Sequence, residues 1–200
     1  MKYFDIYKFN LNKIYKKHKM TYLKEKTIQT KTVHKGNFLT LNSDKVLLPN
    51  GNTSTREYIK HPGAVCCIPI LPDGKIGLIK QYRYAVKEQM IEIPAGKIDQ
   101  NEIPEKCALR ELEEEIGYRA NKLTLLANIH PAVGFTDEKM WLYLAENLVK
   151  TKQCLDNDEF LSLFPTKLNK AVDMVWSGEI TDVKTIIGIL WAQKILLNEI

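Results

Sequence analysis

The stretch 104–116, PEKCALRELEEEI, constrains this chain more than any other. Pro104 suits the first turn of a helix, where a missing N–H costs nothing. Leu109, Leu112 and Ile116 recur at helical spacing and would anchor that helix to the core. Glu111, Glu114 and Glu115, three and four positions apart, share a different face, which reads as exposed. Arg110 stands four before Glu114 and can pair with it.

The rest of the pattern surrounds this helix with strands. Residues 21–33, 37–48, 56–60, 64–70, 75–84 and 90–94 read as strands before it, and 123–129 and 139–148 after it. Asn50-Gly51 signals a hairpin turn, and Pro72-Asp73-Gly74 a second one. Two helices follow, over 168–176 and 181–197, the latter opened by Thr181 as N-cap. Strands, one acidic helix, more strands and then helices make an α/β fold. Helices sandwiching a mixed sheet fit this order better than a doubly wound sheet.

With 200 residues, the chain is one domain of ordinary size with a small appendage. No apolar run approaches the ~20 residues that a membrane helix needs. The opening MKYFDIYKFN lacks the smooth apolar core of an export signal. Cys66, Cys67, Cys107 and Cys154 form no CxxC pair and read as buried thiols in a reducing cytoplasm. The net charge is +5, yet residues 1–26 alone carry eight lysines against two acids. The basicity therefore belongs to an arm, residues 1–20, ahead of a β subdomain at 21–60 and a larger domain at 61–200. Such an arm is ordinarily a solvated terminus, so nucleic acid is not expected as a partner.

Three carboxylates on one helix face repel one another unless a cation sits among them. Hard divalent cations take oxygen ligands, and Mg²⁺ keeps one or two carboxylates along with water and phosphate oxygens. Gly96 would let the backbone approach closely, so that the Ala95 carbonyl could join the shell.

Gly96, then Glu102, then Arg110-Glu111-Leu112-x-Glu114-Glu115-x-Gly117 resembles the Nudix box at every fixed position. Tyr118 stands where that pattern prefers an aliphatic residue. The pieces REYIKHPGAV (56–65), KQYR (80–83), EIPAGK (92–97) and GFTDE (134–138) are similar to the bacterial ADP-ribose pyrophosphatase branch, and the likeness runs from about residue 25 to 197.

The resemblance implies a Nudix-type α/β/α sandwich around a mixed sheet. It implies Mg²⁺-dependent hydrolysis of the ADP-ribose pyrophosphate to AMP and ribose 5-phosphate, with Mn²⁺ a possible substitute. Metal ligands would be Glu111, Glu114, Glu115 and the Ala95 carbonyl. Gly96, Glu102, Arg110 and Gly117 would be structural. Arg56 and Arg83 would contact phosphate or nucleotide, Glu138 the ribose, and Phe38 or Tyr22 the adenine ring. In this branch the base lies on a later loop. Here that is 151–159, which reads as mobile and has Phe160 to anchor its end. Glu159 is favoured as base, with Asp158 and Asp156 as rivals and Glu114 also placed in the catalytic cluster. A homodimer is implied as well. Two other readings stay open. One is a Nudix enzyme for another nucleotide sugar, a dinucleotide or an RNA cap. The other, disfavoured because no box carboxylate is missing, is a non-catalytic nucleotide sensor.

Overall fold

The computed structural model describes residues 23–196. The basic arm and Tyr22 lie outside that span. The chain divides into two compact units.

The first unit comprises the described residues up to Gly36 together with Thr40–Tyr58. Strands β1 (Lys26–Lys35), β2 (Thr40–Leu47) and β3 (Thr53–Lys60) form a sheet in that order, with β1 antiparallel to β2. The Asn50-Gly51 signal is a true turn: the Gly51 N–H donates to the Leu48 carbonyl at 3.0 Å, and Gly51 has φ +86°. Strand β1 is exposed along its whole length, whereas Asn42, Asp44 and Val46 of β2 are buried.

The second unit comprises Asn37–Leu39 and the chain from Ile59 onward. Its strands are β4 (Ala64–Pro69), β5 (Ile76–Arg83), β6 (Glu88–Glu92), β7 (Ala95–Lys97), β8 (Tyr118–Ile129), β9 (Met140–Lys150) and β10 (Leu161–Thr166). Its helices are α1 (Pro104–Ile116), α2 (Leu168–Trp176) and α3 (Val183–Leu196). A mixed sheet runs β7-β4-β9-β8, with β4 parallel to β9 and the other pairs antiparallel. A second, antiparallel sheet runs β10-β5-β6.

All six residues of β4 are buried, as an apolar run covered on both faces should be. Alternation assigns its two sides. Ala64, Cys66 and Ile68 join the cluster with Ala171, Met174 and Ile189 of α2 and α3. Val65 and Cys67 join Cys107, Ala108 and Leu112 of α1. Helices thus cover both faces of a mixed sheet, the expected sandwich.

Several local expectations differ. The Pro72-Asp73-Gly74 turn forms, but β4 and β5 share only the Ile70–Ile76 bridge before entering different sheets. Helix α3 is opened by Asp182 and not by Thr181: Asp182 Oδ2 accepts from the Thr185 N–H at 2.9 Å and the Thr185 hydroxyl at 2.5 Å. Strand β7 was missed because three residues show no period. Of the cysteines, Cys154 is exposed and the other three are buried. The acidic face of α1 is not open surface either: Glu115 is 2% exposed.

Candidate active site

Helix α1 forms over the anticipated residues and ends where the box glycine stands. Gly117 adopts φ +66°, and its N–H donates to the Glu113 carbonyl at 3.1 Å. A left-handed residue at this position closes a helix with least strain when it is glycine. The chain after β9 returns to this end of the helix. The Thr151 N–H donates to the Gly117 carbonyl, the Gln153 amide to the Glu115 carbonyl at 2.6 Å, and the Cys154 N–H to the Glu114 carbonyl at 3.0 Å. The start of the loop expected to be mobile is therefore pinned. Phe160 does not anchor its end: it is 80% exposed. The tip is instead closed by the Glu159 N–H on the Asp156 carbonyl at 3.0 Å.

These elements border a cleft of about 580 Å³ in the second unit. It gathers Ala95 and Gly96 of β7, Glu111, Glu114 and Glu115 of α1, Arg83 of β5, Glu138, and the loop residues Asp156, Asp158 and Glu159. Phe38 also lines it, with the Lys97 ammonium 4.2 Å from its ring centre. Arg56 does not line this cleft. It lies in the first unit, where Nη2 and Nε reach Glu25 at 2.6 and 2.9 Å.

The glycine of the box has a direct physical reason. A Cβ at position 96 would stand 1.8 Å from the Glu111 carboxyl carbon. Only glycine leaves room for that carboxylate against the β7 backbone. Glu115 is held from the same strand, accepting from the Ala95 N–H at 3.0 Å. Arg110 organises the rest. Its Nε and Nη2 hold Glu102, each at 3.0 Å, and Nη1 reaches Glu111 at 2.7 Å and Glu114 at 2.8 Å. The guanidinium holds Glu102 at about 2, well below the usual carboxylate range.

Glu111, Glu115 and Glu159 behave in the opposite way. Burial pushes Glu111 up to about 7, and Arg110 only partly offsets this. Burial raises Glu115 well above the ordinary value, with Glu111 and Glu159 adding repulsion. Glu159 is raised, chiefly by burial and further by the Asp156 charge, against the pull of the Asp156 backbone and of Arg83. A carboxylate group this crowded and desolvated holds protons unless a cation compensates it. The donors are hard oxygens, and the Gly96 cradle brings one of them onto the backbone, so the residues fit a divalent metal. Among the described residues no three His, Cys, Asp or Glu side chains already converge as a ligand set. Glu111 and Glu114 are drawn to Arg110 and Glu115 to the Ala95 N–H.

Sequence reasoning missed three cleft residues and one buried residue behind them. His61 accepts from the Gly63 N–H on Nδ1 and lies 3.8 Å from Glu138. Asp182 and Lys184 also line the cleft, and buried Glu92 holds Arg83 from behind. The Asp-x-Lys-Thr run before an apolar helix was the available signal for the α3 pair. Glu92 opens the EIPAGK piece, but nothing there marked it as the partner of Arg83.

A sandwich of helices about a mixed sheet, with a carboxylate-lined helix facing fixed arginine and lysine side chains across one cleft, defines a site for anionic ligands handled with a cation. The chain belongs to the Nudix hydrolase family: residues 60–179 match the NUDIX domain. Residues 25–59 match the nucleoside diphosphate sugar hydrolase N-terminal domain. The chain is 43% identical over 176 residues to an ADP-ribose pyrophosphatase of Bacillus subtilis, covering 87% of this chain and 95% of that one. It is 42% identical over 171 residues to a methanol dehydrogenase activator of Bacillus methanolicus, covering 84% and 92%. A crystal structure of an ADP compounds hydrolase superposes with a TM-score of 0.78 at 24% identity, over 88% of this chain and 96% of that one.

Proposed function

We propose that this Nudix hydrolase cleaves the pyrophosphate of ADP-ribose to AMP and ribose 5-phosphate. The observation that carries the reading is the convergence of the box carboxylates, Arg83 and the acidic 156–159 turn on one cleft. The B. subtilis relative, alike over nearly its whole length, supports the choice of substrate.

Glu111, Glu114, Glu115 and the Ala95 carbonyl would hold Mg²⁺, with Mn²⁺ able to substitute. Bound there, the metal would supply charge neutralisation and polarisation of the phosphorus. Arg83 offers its planar fork to phosphate oxygens. Glu138 receives ribose hydroxyls, and Phe38, half-exposed at the cleft, stacks on the base. Arg56 could serve a phosphate only by exchanging its Glu25 partner. Glu102 and Arg110 brace the helix, while Gly96 and Gly117 admit the close approaches described above. Glu159 is the general base. Burial raises its carboxyl above the ordinary range, which makes the carboxylate a better acceptor for the proton of the attacking water. Glu114 completes the catalytic cluster beside it.

The protein is proposed to work in the cytoplasm as a homodimer. All four cysteines are free, as suits a reducing compartment, and β1 offers an exposed edge strand. Among the described residues no helix is long and apolar enough to cross a membrane.

The test is a substrate panel containing ADP-ribose, other nucleotide sugars, dinucleotides and capped RNA, scored by product analysis. AMP and ribose 5-phosphate should appear fastest from ADP-ribose and only with Mg²⁺ or Mn²⁺. A near-equal likeness to a relative with a different name keeps another nucleoside diphosphate derivative as the second reading. Faster turnover of any other panel member would establish it.

A further inference from the structure

Behind Arg83 lies a set of buried charges that the proposed chemistry does not use. Glu92, at the end of β6, is 1% exposed, and Lys184, in the first turn of α3, is 7% exposed. Arg83 Nε and Nη2 donate to the two Glu92 oxygens at 2.6 and 2.7 Å. The Lys184 ammonium donates to Glu92 Oε2 as well. Lys184 also pairs with Asp182 Oδ2 at 3.0 Å. Thr185 joins the two halves: its hydroxyl donates to Asp182 and accepts from the Ile93 N–H at 2.9 Å.

Two cations and two anions balance here, but not pair by pair. Glu92 is shared, so part of its charge is spent on Lys184 and Arg83 is only partly neutralised. The two-pronged contact also fixes the plane of the guanidinium. Nη1 then remains, among the described residues, without a hydrogen-bond partner, on a side chain that lines the cleft. A fixed, incompletely neutralised guanidinium with one free nitrogen suits the oxygens of a bridging diphosphate, which carries one negative charge on each phosphate. A flexible one would have to be ordered on binding.

We infer that Lys184 is a positioning residue for substrate: by sharing Glu92 it fixes the guanidinium of Arg83 and leaves its charge incompletely offset, so that the first turn of α3 sets the affinity for a nucleoside diphosphate. The inference rests on the proposed role of Arg83 in contacting phosphate. Lys184 need not touch the ligand.

The test is calorimetric binding of the non-hydrolysable α,β-methylene analogue of ADP-ribose, with Mg²⁺, to the full chain and to Arg83→Ala, Lys184→Met and the double variant. Lys184→Met should weaken binding about tenfold in the native background and less than about twofold when Arg83 is already gone. Equal losses in both backgrounds, or none in either, would overturn the inference. Lys184→Gln keeps a donor for Glu92 and should fall between the native and Met variants. If neither Lys184 variant folds, Lys184 is a folding residue and the idea fails. A reading independent of substrate comes from the Arg83 Nε–H nitrogen-15 resonance. It should be protected from exchange in the native protein and lose protection in the Lys184 variants; an unchanged signal overturns the inference. Loss of protection, with no binding of the analogue by the native chain, would instead defeat the ADP-ribose reading.

Discussion

Position 96 shows how one missing Cβ can matter to a site more than to a fold. In Gly96→Ala the new methyl meets the far end of the Glu111 side chain, which can swing away, and no backbone atom is among its three nearest contacts. Stability should change by about 1 kcal/mol or less, while Mg²⁺-dependent turnover falls by orders of magnitude. A large drop in melting temperature with activity retained would contradict this. Glu111 itself titrates in a way that can be tested without metal. Its value in the folded protein is about 7, above the ~4.3 of an unfolded glutamate. The folded state therefore holds this proton more tightly. Its stabilising contribution is complete below ~4.3 and is lost as pH rises through about 7. In EDTA, urea midpoints should decline from about pH 5 to 8, and Glu111→Gln should flatten that decline. Equal slopes in the two proteins would exclude Glu111 as the source. For the base, Glu159→Gln should lower kcat strongly and leave ligand and Mg²⁺ affinity nearly unchanged. Full activity there, with Asp158→Asn or Asp156→Asn inactive, would move the role within the loop.

At the scale of elements, the C-terminal end of α1 does two jobs. It terminates the helix with Gly117, and it seats residues 151–154, from which the Asp156–Glu159 turn extends over the cleft. A Cβ at 117 would lie 2.9 Å from the Gln153 backbone nitrogen, an atom that cannot swing aside. Gly51 has a similarly positive φ of +86° but nothing within 4 Å of its would-be Cβ. Gly51→Ala should therefore cost only the backbone strain, about 1 kcal/mol, and leave activity alone. Gly117→Ala should cost visibly more and reduce kcat as well, because the loop bearing Glu159 is displaced. Denaturant midpoints and kcat for the two variants check this; equal losses would mean that the loop contact carries no weight.

At the scale of the whole molecule, the first unit presents a strand with every residue exposed, including Ile28 and Val33. A three-stranded sheet with such an edge gains stability from a partner surface. Light scattering should give about twice the chain mass of 23.1 kDa at micromolar concentration. A single 23.1 kDa species would remove the dimer. Replacing Ile28 with Lys should push the equilibrium toward monomer without unfolding the second unit, whose cores contain neither residue.

What the sequence by itself determined follows from local rules. The helix over 104–116 was legible because the proline start, apolar stripe and glycine stop are set by neighbours within a few residues. The box carboxylates were legible because a helix places positions three and four apart on one side. The same periodicity could not tell which side would be covered. Glu115 is buried because β7, a three-residue strand with no pattern, pairs with β4 and brings the Ala95 N–H to it. Arg83 was legible as an arginine suited to phosphate, but not its holder. Glu92 and Lys184 are 92 positions apart, and only the packing of α3 against β6 joins them. Solvation and distant charge decide such things, and both are properties of the assembled fold, which no local stretch of chain contains.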